Sequence, residues 1–542
     1  MPPILGDYQS IGAQKRAQRS NKIPKEWLVA PETFRDATNV LQVPVTCGVL
    51  SDVECDITSD HDATALVEKL KAGVWSAEQV SVAFCKRAAI AQQLVNCLTE
   101  IFFDEAIERA RYLDRKRRAN PDQPLPPLWG LPISLKDSFD VLGHDSSTGL
   151  ACYVGEPAQE HSSLAAMLLD LGAVLYCKTN LPQSIMTADS DNNVFGRTLN
   201  PQNTALTAGG STGGEGALIA LRGSILGVGT DIGGSIRVPS VCNGIYGFRP
   251  SVGLIPHSGV RDLTVPGTDG VRSSAGPMAT SIRDCALFLK SIEDADTWRY
   301  DSTVISLPWR NLAVKEKLRI GLVDDDGIYT PSPPVRRGLR KAADLLRDST
   351  QVELVPITLP NVKDHYHDLL GYWSVSGSDH YFEQFARTGE PEVPSLKAIQ
   401  LLSFKGTTLK GFFDLNVRRA AAAKQYLKLF LDNEIDAILM PPAPHTAVPL
   451  DTWITASYTG LFNFLDYPAI VVPVDSVRDE DAADDVANAK YGPDDAKVYS
   501  LYTGPKLYKC APVCVQVVGY RHADEALLNT ATLLDSIINH EG

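Results

Sequence analysis

Apolar runs too short to be helices recur through most of this chain, with helical stretches between them, and that alternation limits the fold more than any other feature. Ala173–Val174–Leu175–Tyr176–Cys177 reads as a buried strand after a helix around Leu164–Leu171. Ile225–Leu226–Gly227–Val228 reads as another, leading into a glycine-rich loop. Leu318–Val323, Val352–Val355, Ala437–Met440, Ala469–Val474 and Val513–Val518 follow, with helices expected at about 335–347, 416–432 and 523–537. Strands alternating with helices predict an α/β class: one large mixed, mainly parallel central sheet covered by helices on its faces.

Residues 1–60 carry charge and two prolines near the start but no strand pattern, and are expected to form an N-terminal helical arm. Two helices come next, one with Leu66, Val67 and Leu70 on one side, the other opened by a capping box of Ser76 and Gln79 and running through Val80, Phe84 and Ala88. A third covers about 104–118, where Arg115–Lys116–Arg117–Arg118 reads as a solvated helix end. The expected division is an arm over 1–60 and a main body over 61–540. Within that body a chemical core lies at about 130–250 and a helical substrate wall at about 330–430. The segment 476–497, with Asp479, Glu480, Asp481, Asp484 and Asp485, is expected as an exposed loop.

Composition removes several classes of function. A net charge of −14 repels phosphate backbones and anionic lipid surfaces, and no basic patch offsets it. No apolar run approaches the about 18 residues of a spanning helix, and no signal-peptide core follows the early lysines and arginines. The ten cysteines lack CxxC spacing, and Cys510 with Cys514 has no further ligand nearby for zinc, so no metal and no cofactor is expected. The chain reads as a reduced, cytoplasmic protein with no nucleic-acid partner.

Three pieces between Gly130 and Pro250 carry chemistry. Gly130–Leu131–Pro132–Ile133–Ser134–Leu135–Lys136–Asp137 puts a lysine directly after an apolar strand, where an ammonium is costly to bury; snorkelling to the surface is the plain alternative. Gly209–Gly210–Ser211–Thr212–Gly213–Gly214–Glu215–Gly216 strips side chains from around one serine, and the apolar helix that follows anchors the loop. Gly227–Val228–Gly229–Thr230–Asp231–Ile232–Gly233–Gly234–Ser235–Ile236–Arg237–Val238–Pro239 ends a strand in small residues whose N–H groups can converge on an oxyanion. Two other readings stay open on residues alone. Gly227, Gly229 and Gly233 suggest a dinucleotide loop, although the spacing is GxGxxxG. Gly209–Gly213 fits the G-x-S-x-G elbow of α/β-hydrolases, with His522 as the base, although no strand leads into it.

Taken together, in their order and spacing, the three pieces closely resemble the amidase signature family. The likeness extends over about residues 60–535 and takes in Phe462–Asn463–Phe464–Leu465–Asp466–Tyr467–Pro468–Ala469 and Ala511–Gly519. Phe84–Gln93 and Gly196–Arg197–Thr198 look most like fungal acetamidases, and fatty acid amide hydrolases are a looser likeness. Thr212 departs from the family, which usually has a second serine there. The resemblance implies Ser235 as acyl-enzyme nucleophile, Ser211 as bridging serine after a cis Gly210–Ser211 peptide, and Lys136 as base. It implies Ile232, Gly233, Gly234 and Ser235 as oxyanion donors, and Ile185 on the acyl-binding wall. Asp231 and Arg237 are expected to form a structural ion pair.

A free lysine, with a pKa of about 10.4, is protonated at neutral pH, so this role needs desolvation to about 7–8. The expected activity is hydrolysis of small or medium carboxylic amides to an acid and ammonia or an amine. The expected partner is a small-molecule amide, and a homodimer is allowed for. The competing readings are a glutaminase subunit of an amidotransferase, or a fatty acid amide or ester hydrolase. Tyr366, Tyr372, Trp373, Phe382 and Phe385 are candidates for the pocket wall, with ordinary core packing as the alternative.

Overall fold

The computed structural model of the chain describes residues 6–313, 315–400, 403 and 405–539. The two early prolines, residues 401, 402 and 404 of the expected wall, and residue 540 of the expected main body lie outside these. Eleven strands form one sheet: β1 Leu98–Ile101, β2 Pro132–Lys136, β3 Val174–Thr179, β4 Leu226–Asp231, β5 Tyr246–Arg249, β6 Ser274–Ala279, β7 Leu318–Leu322, β8 Val352–Pro356, β9 Ala437–Met440, β10 Ala469–Ser476 and β11 Pro512–Val518. Their order is β1-β3-β2-β4-β6-β5-β10-β11-β9-β7-β8.

The sheet is mixed, but parallel pairing does not dominate it. β3, β2 and β4 run parallel, as do β8, β7 and β9, while every pairing from β4 to β9 through β6, β5, β10 and β11 is antiparallel. Successive side chains of a strand point to opposite faces, and both faces are covered. On β10, Ile470 and Val472 join the main core with Leu527, Leu528 and Leu534 of the helix Asp524–Asn539. Val471 between them packs on Val241 and Cys514 instead.

Local chemistry starts and stops the helices that the sequence implies. Ser76 and Gln79 form both halves of the capping box opening Ala77–Val95, and Asp62 accepts from the Ala65 N–H to open Ala63–Ala72. In the first sixty residues, helices Tyr8–Asn21 and Asp52–Ser59 lie over the main body; Lys15 pairs with Glu100 on β1 and with Asp145. No helix is long and apolar enough to cross a membrane among the described residues.

The acidic stretch 476–497 is more than an exposed loop. It holds the short helical turns Val486–Asn488 and Pro493–Tyr499, and two of its carboxylates are buried. Asp481 takes a two-pronged contact from Arg337, and Asp495 accepts from the Thr330 N–H and hydroxyl. Acidity in sequence marked charge, not exposure, because the partners come from residues 330–337.

Candidate active site

β2 and β4 are parallel neighbours, so their carboxyl ends finish side by side. Lys136 is the last residue of β2, and its amine does not snorkel: the residue is 0% exposed. Its Nζ lies 2.6 Å from Ser211 Oγ and 2.9 Å from Thr230 Oγ1. Burial brings the amine down to about 7, against the opposing pull of Asp231 and Asp137.

The peptide between Gly210 and Ser211 is cis. Ser190 holds the loop, its Oγ accepting from the Gly213 N–H at 3.0 Å and donating to Gly209 O at 2.9 Å. The Thr212 N–H donates to Ser235 O at 3.2 Å, which joins the two serine loops directly. The glycines of β4 make this approach possible. A Cβ at Gly229 would stand 2.8 Å from the Thr212 methyl, and one at Gly227 would meet the Glu215 carboxyl. Gly227 and Gly229 thus admit the Ser211 loop onto the strand, which leaves the dinucleotide reading without a basis. The hydrolase elbow fails too. The chain enters Ser211 from irregular loop, and His522 sits at the turn before Asp524–Asn539, its N–H donating to Ser251 Oγ, and is not among the cavity-lining residues.

Beyond β4, Asp231 organises the second loop. It accepts from Arg237 Nε and Nη2, each at 3.0 Å, and from Asn463 Nδ2 at 2.8 Å. Burial alone would raise this carboxyl, but Arg237 beside it holds it well below the usual carboxylate range. Arg237 also donates from Nη1 to Thr459 O and from Nη2 to Asn463 Oδ1, so each nitrogen of the buried guanidinium has a partner inside the protein. Asp231 Oδ1 also takes the Gly234 N–H at 2.8 Å. Of the four expected oxyanion donors, Gly234 is therefore already occupied. The N–H groups of Ile232, Gly233 and Ser235 have no protein acceptor among the described residues. Ser235 is half-buried at the edge of the cavity.

That cavity measures about 280 Å³ and includes Ile185, Gly210, Ile232, Gly233, Gly234 and Ser235 in its wall. Aromatic rings line it too: Tyr366 and Trp373 from the helix Val362–Trp373, with Tyr329 and Trp453. Trp373 lies so close to Gly233 that a Cβ there would stand 2.6 Å from its ring. A more polar chamber of about 500 Å³ adjoins it, sharing Met186, Ile232 and Trp373. Of the expected wall residues, Tyr366 and Trp373 line the first cavity and Tyr372 the second. Phe382 is exposed, and Phe385 is buried with Leu150, Leu263 and Leu396. Tyr329 and Trp453 carry no local signal in sequence, because they reach the site from distant segments. Thr230 was visible only as part of the loop motif.

The chain matches the Amidase family over residues 79–528. It is 37% identical to an acetamidase of Emericella nidulans, the match covering 98% of each chain, and 36% identical to an acetamidase of Aspergillus oryzae over 98% of this chain and 99% of that one. Among solved structures, a fatty acid amide hydrolase superposes with a TM-score of 0.91 at 30% identity, covering 98% of this chain and 95% of the other.

Proposed function

The chain belongs to the amidase family and is an amide hydrolase, and from that premise we propose how its residues cleave a carboxylic amide. Lys136 is the base, Ser211 the relay and Ser235 the nucleophile. With its amine at about 7, roughly half of Lys136 is neutral at pH 7, against about one in a few thousand for a free lysine. Neutral Lys136 takes the proton of Ser211 as Ser211 takes that of Ser235, whose oxygen attacks the amide carbon. The N–H groups of Ile232, Gly233 and Ser235 receive the oxyanion. The relay returns the proton to the leaving nitrogen, and water then enters by the same relay to free the acid from Ser235.

The observation that carries this reading is the 2.6 Å contact between a fully buried Lys136 amine and the Ser211 hydroxyl. Removing the charge of that amine by desolvation is what lets a lysine serve where other hydrolases use histidine. Substrates are carboxylic amides of small to medium acyl size, held with the acyl group in the aromatic cavity. The products are a carboxylic acid and ammonia or an amine. Ten free cysteines and a net charge of −14 fit a reducing, cytoplasmic setting, and a homodimer fits the proposal without being needed for the site. Labelling by a fluorophosphonate tests the nucleophile: the probe should attach to Ser235, and Ser235→Ala should remove both labelling and turnover. An amide panel graded by acyl length, with glutamine beside acetamide, separates a free-standing amidase from a glutaminase. Faster release from glutamine than from every carboxylic amide would overturn the substrate assignment.

A further inference from the structure

The glycine-rich run carries one more functional group that the relay does not use. Glu215 lies in the first turn of the helix Gly213–Ala220, four residues past Ser211, and is 0% exposed. Its carboxyl meets hydroxyls rather than cations. Oε1 contacts Ser134 Oγ closely, and Oε2 accepts from Thr179 Oγ1 at 2.9 Å. Gly227, paired with Ser134 across β2 and β4, leaves the space, since a Cβ there would stand 1.9 Å from Oε1.

Counting protons around this cluster favours one state of the carboxyl. Ser224 Oγ lies 3.1 Å from Leu226 O, and a carbonyl can only accept, which favours placing the Ser224 proton there; Thr179 Oγ1 lies 3.4 Å from Leu135 O but closer to Glu215. Ser134 Oγ lies 2.7 Å from Ser224 Oγ and supplies the proton between them. Ser134 then has none left for Glu215, yet the two are in close contact. With the serine protons so placed, the proton in that contact comes from the carboxyl group itself. As a neutral acid, Glu215 donates from Oε1 to Ser134 and accepts at Oε2 from Thr179, and every member is satisfied. Burial supports this state, pushing Glu215 up to about 7 against its two hydroxyl partners. The titratable groups facing it are Tyr176 and Cys177 of β3 and Cys97 ahead of β1, all held protonated by their own burial. Tyr176 donates to Gly223 O. From β2 the facing group is Ser134, two residues before Lys136 and on the same side of the strand.

We propose that Glu215 is a positioning residue of the relay that works only as the neutral acid, clamping the Ser211 loop to the strand that carries Lys136. The clamp bridges both ends of the Lys136–Ser211 contact, because its helix begins directly after Ser211–Thr212 and its acceptor sits on β2. Ionisation harms the relay in two ways. A carboxylate with neutral partners in a dry interior forces the cluster to open or admit water. Its charge also favours the ammonium form of Lys136, which cannot act as a base. Lys136 must lose its proton while Glu215 keeps one, and those two requirements confine activity to a band around neutrality.

The inference rests on Lys136 as the base, and the experiment separates the two claims. kcat/KM against pH is measured for the wild type, Glu215→Gln and Ser224→Ala on one amide substrate. The wild type should give a bell. In Glu215→Gln the amide reproduces the donor and acceptor of the neutral acid, so the acid limb stays and the alkaline limb flattens to a plateau. Ser224→Ala frees the Ser134 proton for an ionised Glu215, which moves the alkaline limb about one pH unit lower. An alkaline limb unmoved in both variants overturns the proposal. If Glu215→Gln does not fold, the Ser224→Ala shift alone decides, and no shift overturns it. Loss of turnover in Ser235→Ala and Lys136→Met, together with an unmoved limb, would sink the role of Glu215 and leave the relay standing.

Discussion

Two lysines are buried on neighbouring parallel strands, and their surroundings make them different reagents. Lys136 ends β2, and Lys178 lies on β3 in register with Leu135. Both are 0% exposed. Lys178 donates to Asp145 O at 2.5 Å and to Ser146 Oγ at 2.8 Å. Burial lowers its amine, but Asp137, Glu100, Asp140 and Asp145 all pull the other way. Lys136 donates to two hydroxyls, Ser211 and Thr230, with Asp231 and Asp137 acting on it only at longer range. Desolvation is common to both amines, so burial alone does not make a base. What separates them is the company they keep: Lys178 meets a carbonyl and four carboxylates that favour its charged form, whereas Lys136 meets two hydroxyls, one of which offers a proton that a neutral amine can take.

The sharpest way to break this comparison is to remove each amine in turn. Lys136→Met and Ser235→Ala should each lower kcat by about 10⁴-fold or more. Lys178→Met should keep turnover per folded molecule within about tenfold but lose about 3 kcal/mol of stability, since it strands buried acceptors. Denaturant unfolding beside active-site titration reads both quantities, and equal loss of kcat in the two lysine variants would erase the distinction.

Stability against pH sharpens it next. The folded Lys136 amine, at about 7, lies below its unfolded value of 10.5, so the unfolded chain binds more protons between the two and wild-type stability rises with pH across that window. Lys136→Met removes this rise and should gain up to about 4 kcal/mol at neutral pH, less the cost of leaving Ser211 and Thr230 unpaired. Melting temperatures of the two proteins from about pH 6 to about pH 10 should converge as the pH increases; parallel curves would mean the amine is not desolvated.

Smaller effects come from editing the neighbours. Thr230→Val deletes one of the two hydroxyls on the Lys136 amine and should cut kcat about tenfold with KM little changed. Asp137 acts on both lysines, so Asp137→Asn should ease the loss of each proton. Its signature is an acid limb displaced about half a pH unit lower in the rate profile. A limb displaced upward would show that Asp137 acts through structure rather than charge.

The serine loops were legible because their signal is local. Glycine density around Ser211 and the short step from Asp231 to Arg237 are chain-neighbour properties, and the structure keeps both. Strands rich in β-branched residues, such as β10 and β11, were legible for the same reason. β5 and β6 were not: Tyr246–Arg249 is four residues long, and Ser274–Ala279 is mostly small side chains with a proline. Their strand state comes from pairing with each other and with β4 and β10. The third partner of the Asp231–Arg237 pair, Asn463, is more than two hundred residues away and gave no sign of that role.

By itself the sequence determined the α/β class and the capped helices, which follow from backbone preference and side-chain periodicity within a few turns of chain. It also marked Lys136, Ser211 and Ser235 as candidates, through the glycine-rich segments around them and their resemblance to the amidase signature family. The tertiary structure alone decided that the sheet is antiparallel through its middle, that Trp373, Tyr329 and Trp453 share one wall, and that the Lys136 amine sits near 7 while Lys178 keeps a carboxylate field. Those are matters of which distant groups displace water from a site, and desolvation and Coulomb interaction depend on distance in space rather than separation along the chain.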